Sequence, residues 1–458
     1  MNNQQANPII SDLVFIGDSL TDRGTLEKRK LGPIRLRWIV GLQESDLGRF
    51  TNDLNWADYL IKHLMSLFNQ EQKKQSNHTD CIAKLDKQVD QFDLVNNDKY
   101  VDYRGRVFFA RSYAEGGLSD YSYREKFSDN FSVLIDRQIL SYLSQKRRQL
   151  FRDDNYFSIT QQQKQQTLVM EWSGANDLIT VNTQPTIQEA DNAIKERILN
   201  ATELLKHGYQ HIVLFNLPDL SKTPRYQGSN VNNQSREQLS NVVCYYNKML
   251  ENEVAKLNMQ YPQYPIGIYN VFDKFNELIN DPEKYGFDKN LINTPYSTSQ
   301  NEDNPKMADK YIFWDDIHPT SKTHEILSQD FYKNYLTKYC TLQSPKAYTK
   351  HDLCVEFQNR YNAIYESDIN GIFGLFRKSR LSVNYQENNA LEVILKHGLY
   401  EHGYRTRRAL QELKWISKDG AVNLTIREVR DAYEALYLKN KARSKGVDSL
   451  TDKVGYTL

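Results

Sequence analysis

The stretch Leu13–Asp22, LVFIGDSLTD, begins with four apolar residues and then becomes polar. The apolar run, rich in β-branched and aromatic side chains, predicts a short buried strand that ends at Gly17. Ser19 would then lie between a strand and a helix, at the rim of a sheet, where ligands of open α/β sheets bind. Free N–H groups at the start of that helix would stabilise negative charge. Ser19 is therefore a candidate nucleophile, although a polar turn in which Asp18 or Ser19 only caps the helix gives the same pattern.

Short apolar runs recur along the chain and alternate with helical patterns up to about residue 340. Further strands are predicted at 107–110, 167–172, 211–215 and 266–269. This alternation is typical of parallel βαβ units, so we expect an α/β fold, a three-layer α/β/α sandwich around a parallel sheet.

Two helix starts and one helix end can be placed between these strands. Thr186 and Glu189 form a capping box that starts a helix, and Gly208 ends that helix as a C-cap. Ser235 and Gln238 are predicted to start the next helix in the same way.

The chain has 458 residues, a length that favours two domains. The strand–helix alternation stops near Gln343, so we expect one α/β domain over 1–343 and a mainly helical domain over 344–458. A polar surface insertion is predicted at about 69–99, where Gln, Asn, Lys and Asp dominate.

Charge and hydropathy exclude several classes of function. The formal net charge is only +1, so the chain has no bulk electrostatic attraction to nucleic acid. Hydrophobic residues make up 39% of the chain, which is expected of a globular protein. No apolar run approaches the roughly 18 residues of a membrane span. The segment Met1–Gln5 lacks the basic start and apolar core of a Sec signal peptide, so we expect a cytoplasmic protein or one exported by another route.

Four cysteines lie far apart, at Cys81, Cys244, Cys340 and Cys354. Their spacing matches no CxxC metal or redox motif, and we expect reduced thiols. Pairing of Cys340 with Cys354 stays open at this point.

A nucleophilic serine needs a base, and the base needs a group that orients it. Asp315 and His318 stand three residues apart, and Pro319 fixes the backbone after the histidine. On a tight turn, this spacing lets the carboxylate reach Nδ1 of the imidazole while Nε2 faces Ser19. A surface ion pair is the ordinary alternative, and Asp316 is a competing orienter.

The negative oxygen of a tetrahedral intermediate needs hydrogen-bond donors already in place. Three candidates each follow a predicted strand: the N–H of Ser19, the N–H of Gly117 and the side-chain amide of Asn176. A plain glycine turn and a helix N-cap are the ordinary alternatives for the last two, and Gly116 could replace Gly117 as the donor.

Four blocks of the chain resemble, in order, those of the GDSL (SGNH) hydrolase family: Gly17–Leu20, Gly117, Gly174–Asp177 and the Asp315–x–x–His318 run. The resemblance covers about residues 11–340. Further stretches resemble its bacterial branch of phospholipases, lysophospholipases and glycerophospholipid:cholesterol acyltransferases: Gly48–Asn52, Trp56, Asn216–Leu220, Thr223-Pro224 and Phe313–Asp315.

The resemblance implies Ser19 as nucleophile, His318 as general base and Asp315 as its orienter. It implies an oxyanion hole made by Ser19, Gly117 and Asn176. An acyl-serine would form on a lipid ester, and water or another alcohol would release the acyl chain, with no metal or organic cofactor. Secreted members of the branch often carry a cysteine pair before the Asp–x–x–His block; its absence here favours a reducing compartment.

Three functions remain in competition. The first is a lipid acyl esterase of the phospholipase A or lysophospholipase type, with acyl transfer as an option; the aromatic residues Trp56 and Phe313-Trp314 favour it. The second is an esterase for acetylated sugars on the same fold. The third is an effector whose helical domain binds a protein or a membrane. Residues 372–380, apolar and then basic, are a candidate for peripheral membrane contact, although a buried turn with a basic edge is the favoured interpretation.

Overall fold

The computed structural model divides into two compact units, one formed by residues 1–98, 108–151 and 162–344, the other by 99–107, 152–161 and 345–458. The first unit contains all of the predicted site residues. The structure describes residues 8–28, 30–31, 34–35, 47–75, 98–101, 107–121, 148–149, 151–152, 155, 161–180, 184–302, 304–342, 350–370, 389–401, 403–413, 415–422 and 427–451. Most of the predicted insertion at 69–99 and all of the candidate membrane segment at 372–380 lie outside these residues.

The main sheet has six strands, and five of them, all parallel to one another, are β1 (Asp12–Gly17), β2 (Val107–Ser112), β3 (Thr167–Trp172), β4 (His211–Phe215) and β5 (Gly267–Tyr269). Their order is β2-β1-β3-β4-β5. The chain therefore adds β2 on one side of β1 and then crosses back to add β3 on the other side of β1. In open α/β sheets such a reversal leaves a crevice at the carboxyl ends of the strands.

The helices of the first unit are α1 (Thr25–Lys28), α2 (Trp56–Gln75), α3 (Gln161–Gln165), α4 (Ala175–Ile179), α5 (Ile187–Lys206), α6 (Pro224–Gln227), α7 (Asn233–Gln260), α8 (Val271–Asn280), α9 (Pro305–Ala308), α10 (Ser321–Asp330) and α11 (Thr337–Tyr339). A π-helical segment, Phe331–Leu336, joins the last two, and 3₁₀ turns occur at Leu220–Lys222 and Pro282–Tyr285. Short strands lie at Ile9–Ile10, Lys30–Leu31, Ile34–Arg35, Asp98–Val101 and Thr341–Leu342.

Helices cover both faces of the sheet. The ring of Trp172 on β3 lies 6.1 Å from that of Trp56, the first residue of α2. Successive strand residues point to opposite faces, so Glu171 points the other way, where Arg197 of α5 donates to its carboxylate at 3.4 Å. The predicted three-layer α/β/α sandwich is confirmed.

The capping box of Thr186 and Glu189 is present at the start of α5, and Gly208 follows its end with a φ of 93°. The predicted start of the next helix at Ser235 is wrong. Helix α7 begins at Asn233, because the side chain of Asn232 accepts a hydrogen bond from the N–H of Ser235 and caps the helix.

The described part of the second unit is mainly helical. Its helices are α12 (Lys350–Asn370), α13 (Ala390–Leu399), α14 (Tyr404–Glu412) and α15 (Arg427–Thr451). Buried leucines and Trp415 form its apolar interior, and Arg360 and Glu412 form an ion pair between α12 and α14. The segments 99–107 and 152–161, which belong to this unit, were not predicted to do so.

Within the described residues, no helix combines the length and the apolarity needed to cross a bilayer. Cys244, Cys340 and Cys354 are free thiols.

A buried ion pair fixes the start of α2 against the loops that precede it. Asp58 accepts hydrogen bonds from Arg23 Nε at 2.7 Å and Arg49 Nε at 3.0 Å, and all three side chains are buried. Burial acts to raise the pKa of Asp58, but the two guanidinium groups outweigh it and hold the pKa below its usual value. Asp58 is therefore ionised, and the two guanidinium groups compensate its negative charge.

We expect Asp58→Asn to lower the free energy of unfolding by about 3–5 kcal/mol, because it leaves two buried cations without their counter-charge. The matched control is Glu253→Gln, which removes an exposed partner of Lys256 and should cost below about 0.5 kcal/mol. Urea unfolding followed by tryptophan fluorescence measures both. Equal effects of the two substitutions would contradict this account of the first unit.

A second buried group makes stability depend on pH. His324 on α10 is fully buried, and neither ring nitrogen has a hydrogen-bond partner among the described residues. Burial, aided by the nearby His318 and opposed by Asp58, lowers its pKa from 6.5 to about 3. Between these two pH values the unfolded chain binds one more proton than the folded chain, so stability falls as pH falls.

We expect the wild-type protein to lose about 2 kcal/mol more stability between pH 7 and pH 5 than His324→Gln does. The comparison uses the pH dependence of the unfolding free energy, so a uniform destabilisation by the substitution does not affect it. Identical pH dependence in the two proteins would contradict a neutral, buried His324.

Candidate active site

Ser19 lies in the turn that follows β1, at the carboxyl edge of the sheet. Gly17 allows this turn to pass close to β3, since a Cβ at this position would lie 2.3 Å from the carbonyl oxygen of Trp172. The Asp18 carboxylate accepts from the N–H of Leu20 at 3.1 Å and closes the turn. The hydroxyl of Ser19 is thereby presented at the crevice, as the sequence predicts.

A row of hydrogen bonds joins Ser19 to His318 and Asp315. His318 Nε2 lies 2.8 Å from Ser19 Oγ, and His318 Nδ1 lies 2.7 Å from Asp315 Oδ2. The other oxygen of Asp315 accepts from the backbone N–H groups of Ile317 at 2.8 Å and His318 at 2.6 Å. The three-residue spacing thus forms the tight turn that was expected from it.

The protonation state of this row follows from Asp315. Burial acts to raise the pKa of Asp315, but the His318 ring and the two backbone N–H groups hold it below its usual value. An ionised carboxylate only accepts hydrogen bonds, so Nδ1 of His318 carries the proton. The lone pair of Nε2 then faces Ser19 Oγ and can take the hydroxyl proton.

Asp316, the competing orienter, does not contact the imidazole. Its carboxylate binds Arg225 in a two-point ion pair, with Arg225 Nε and Nη2 at 2.8 and 2.9 Å. Asp315 alone of the two neighbouring carboxylates orients His318.

Residues of the Gly48–Asn52 block hold the His318 turn in place. Phe50 packs against the imidazole with ring centroids 5.0 Å apart. Thr51 Oγ1 donates to the carbonyl of Pro319 at 2.9 Å, and Asn52 Oδ1 accepts from the N–H of Ser321 at 2.8 Å. The sequence carries no local signal for these contacts, because they join residues more than 260 positions apart.

Carboxylates fasten the loop after β2, which carries Gly117, at both ends. Asp22 Oδ2 accepts from the N–H of Gly116 at 2.8 Å, and Asp177 accepts from the N–H groups of Asp120 and Tyr121 at 2.9 and 3.1 Å. These acidic side chains therefore make structural hydrogen bonds to the backbone.

These contacts determine which of the candidate oxyanion donors are already occupied. Within the described part of the chain, no group accepts a hydrogen bond from the N–H of Ser19 or of Gly117, whereas that of Gly116 is occupied by Asp22. Gly117 has a φ of 77°, which glycine adopts without strain. Asn176 Nδ2 donates to the carbonyl of Leu118 at 3.0 Å, which leaves its other N–H available.

Asn176 is oriented from both sides. Its Oδ1 accepts from Thr180 Oγ1 at 2.7 Å while Nδ2 binds Leu118, so the amide cannot turn freely. In the turn after β1, burial raises the pKa of Asp18 to about 7, although the N–H of Leu20 lowers it.

Ser19, His318 and Asn176 line one cleft, whose wall is mostly apolar. The apolar residues that line it are Leu20, Trp172, Ala175, Ile179, Pro218, Leu220, Phe275, Ile317 and Pro319. The argument for lipid from Trp56 and Phe313-Trp314 is wrong, because these aromatics are buried in the core and are not among the residues described as lining the cleft. Other apolar side chains form the wall instead.

Comparisons with known proteins point to one family. The family model for GDSL-like lipase/acylhydrolase matches residues 13–331. The phosphatidylcholine-sterol acyltransferase of Aeromonas hydrophila is 23% identical over 368 residues, which cover 71% of this chain and 90% of that protein. The secreted effector protein SseJ of Salmonella typhimurium is 24% identical over 69% of this chain and 61% of its own length. The thermolabile hemolysin of Vibrio parahaemolyticus is 28% identical over 36% of this chain and 41% of its own length.

The matched region begins in β1, six residues before Ser19, and ends past His318, so it includes every residue of the hydrogen-bonded row. The chain belongs to the GDSL-like lipase/acylhydrolase family.

Proposed function

We propose that this protein is a serine esterase that cleaves acyl esters of phospholipids or lysophospholipids through an acyl-serine intermediate. The observation that carries the proposal is the 2.8 Å contact between Ser19 Oγ and His318 Nε2 inside an apolar cleft. Ester hydrolysis follows from the family. We propose in addition that the substrate is a lipid and that an alcohol can replace water as the acceptor of the acyl group.

In the first step Ser19 Oγ attacks the ester carbonyl carbon, and its proton moves to His318 Nε2. The Asp315 carboxylate stabilises the imidazolium that forms, because it already accepts from Nδ1 at 2.7 Å. The bond from the carbonyl carbon to the leaving oxygen then breaks, and the imidazolium returns the proton to that oxygen. The products are an acyl-serine and a free alcohol.

Negative charge on the carbonyl oxygen is stabilised by the N–H of Ser19, the N–H of Gly117 and the amide of Asn176. These donors are held by the rest of the structure before the substrate arrives, so they need little reorganisation during the reaction. In the second step water, or an alcohol in place of water, gives its proton to His318 Nε2 and attacks the acyl-serine carbonyl. The bond from the carbonyl carbon to Ser19 Oγ then breaks, the imidazolium returns the proton to Ser19 Oγ, and a fatty acid or a new ester leaves. No proposed step uses a metal or an organic cofactor.

Two observations support a lipid substrate. The cleft beside Ser19 offers apolar side chains such as Leu20, Ile179 and Phe275 to an acyl chain. One relative, which this chain matches over 90% of that protein's length, is by name a phosphatidylcholine-sterol acyltransferase.

We expect Ser19→Ala to lower kcat for fatty acid release from lysophosphatidylcholine by on the order of 10⁴-fold or more, because the acyl-serine cannot form. The matched control is Ser299→Ala, whose hydroxyl binds the carbonyl of Tyr296 in a loop outside the cleft, and it should retain wild-type activity. Fatty acid release is measured by mass spectrometry.

Retention of activity in Ser19→Ala would overturn the proposed mechanism. Release of acetate from acetylated xylan by the wild-type protein, without fatty acid release from either phospholipid or lysophospholipid, would instead support the sugar esterase hypothesis.

We expect Asn176→Ala and Asn176→Asp both to lower kcat by about 10²–10³-fold with little change in KM, since one oxyanion donor contributes mainly in the transition state. The aspartate variant keeps the size of the side chain and removes the donor, but it also adds a negative charge, so any loss of kcat beyond that of Asn176→Ala measures charge repulsion of the oxyanion. Steady-state kinetics on a soluble acyl ester measure both. A rise in KM at unchanged kcat would contradict the assignment.

A further inference from the structure

Arg225 carries the one fixed positive charge among the described residues that line the cleft of Ser19. The other ionisable side chains of the lining are Asp18 and His318. The side chain of Arg225 is 38% exposed, so it reaches both the cleft and the solvent. The proposed mechanism gives this residue no role.

Arg225 is held at a fixed place relative to the hydrogen-bonded row. Its backbone N–H donates to the carbonyl of Asp316 at 2.8 Å, and its guanidinium binds the Asp316 carboxylate at two points. Asp316 directly follows Asp315, which orients His318. The turn that positions the base thus also positions the cation.

The guanidinium retains donors for a second anion. Nε and one N–H of Nη2 serve Asp316, while no described residue accepts from Nη1. The planar fork of arginine suits phosphate oxygens, which accept from neighbouring N–H groups at the same time. The ion pair with Asp316 is exposed at both ends, so it contributes little to stability and does not by itself explain an arginine in this wall.

From this placement we propose that Arg225 binds the phosphate of a glycerophospholipid or lysophospholipid whose ester carbonyl lies at Ser19. The enzyme would thereby select phosphate-bearing acyl esters over neutral ones. The inference rests on the proposed function and adds the chemical group that the cleft recognises. Asp316 partly neutralises the guanidinium and competes with the phosphate for it.

The test compares kcat/KM for lysophosphatidylcholine with that for a monoacylglycerol of the same acyl chain, both at one mole fraction in non-ionic detergent micelles. Arg225→Gln should lower the value for the phospholipid by about tenfold and leave that for the neutral ester unchanged. Arg225→Lys keeps the charge but loses the fork, so it should fall between wild type and Arg225→Gln.

Two further variants separate recognition from structure. Lys222→Gln removes a neighbouring cation that binds Asn276 and lies outside the cleft, and it should leave the substrate ratio unchanged. Asp316→Asn keeps the backbone bond to Arg225 and removes the competing charge, so its ratio should equal or exceed that of the wild type.

The inference is overturned if Arg225→Gln lowers both activities equally, which would mean that Arg225 only supports Asp315. It is also overturned if Lys222→Gln matches Arg225→Gln, if Asp316→Asn lowers the ratio as Arg225→Gln does, or if the wild type shows no preference for the phosphorylated ester. In each of these cases a Ser19-dependent lipid esterase would still stand. Absence of any fatty acid release by the wild type would overturn the inference and the proposed function together.

Discussion

The hydrogen bond between Ser19 Oγ and His318 Nε2 joins residues 299 positions apart in the chain. Chain connectivity does nothing to bring these atoms together, so the rest of the first unit has to do it. The sheet fixes the position of Ser19, since β1 is paired with β2 on one side and β3 on the other, and Ser19 lies in the turn that directly follows β1. The Gly48–Asn52 block fixes the His318 turn: Phe50 packs against the ring, Thr51 donates to the carbonyl of Pro319, and Asn52 accepts from the N–H of Ser321.

Buried charge supports both halves of this arrangement. Asp58 binds Arg23 and Arg49, and Arg49 directly precedes Phe50, so the residue that packs against the imidazole lies beside a buried carboxylate held by two arginines. Asp22 and Asp177 use their carboxylates on backbone N–H groups and fasten the loop that carries Gly117. A carboxylate that accepts several hydrogen bonds can remain ionised in a buried place. The acidic residues around the site thus act by holding the backbone.

Much of the fold and of the candidate site could be predicted from the sequence because those signals are local. Apolar runs predict the strands, Thr186 with Glu189 predicts the start of a helix, and the spacing of Asp315 and His318 indicates a tight turn. The features that escaped prediction depend on distant contacts. The choice between Gly116 and Gly117 turns on Asp22, which lies 94 positions from Gly116. The pairing of Asp316 with Arg225 spans 91 positions, and the burial of Trp56 depends on the strands against which it packs.

The central claim is that the hydroxyl of Ser19, with His318 as its base, is the nucleophile of this protein. The most direct measurement is the site of covalent labelling by a fluorophosphonate, read by peptide mass spectrometry on the wild-type protein and on His318→Ala. The account predicts a single adduct on Ser19 in the wild type and labelling slowed by orders of magnitude in His318→Ala. An adduct on another residue, or equal labelling rates in the two proteins, would contradict it.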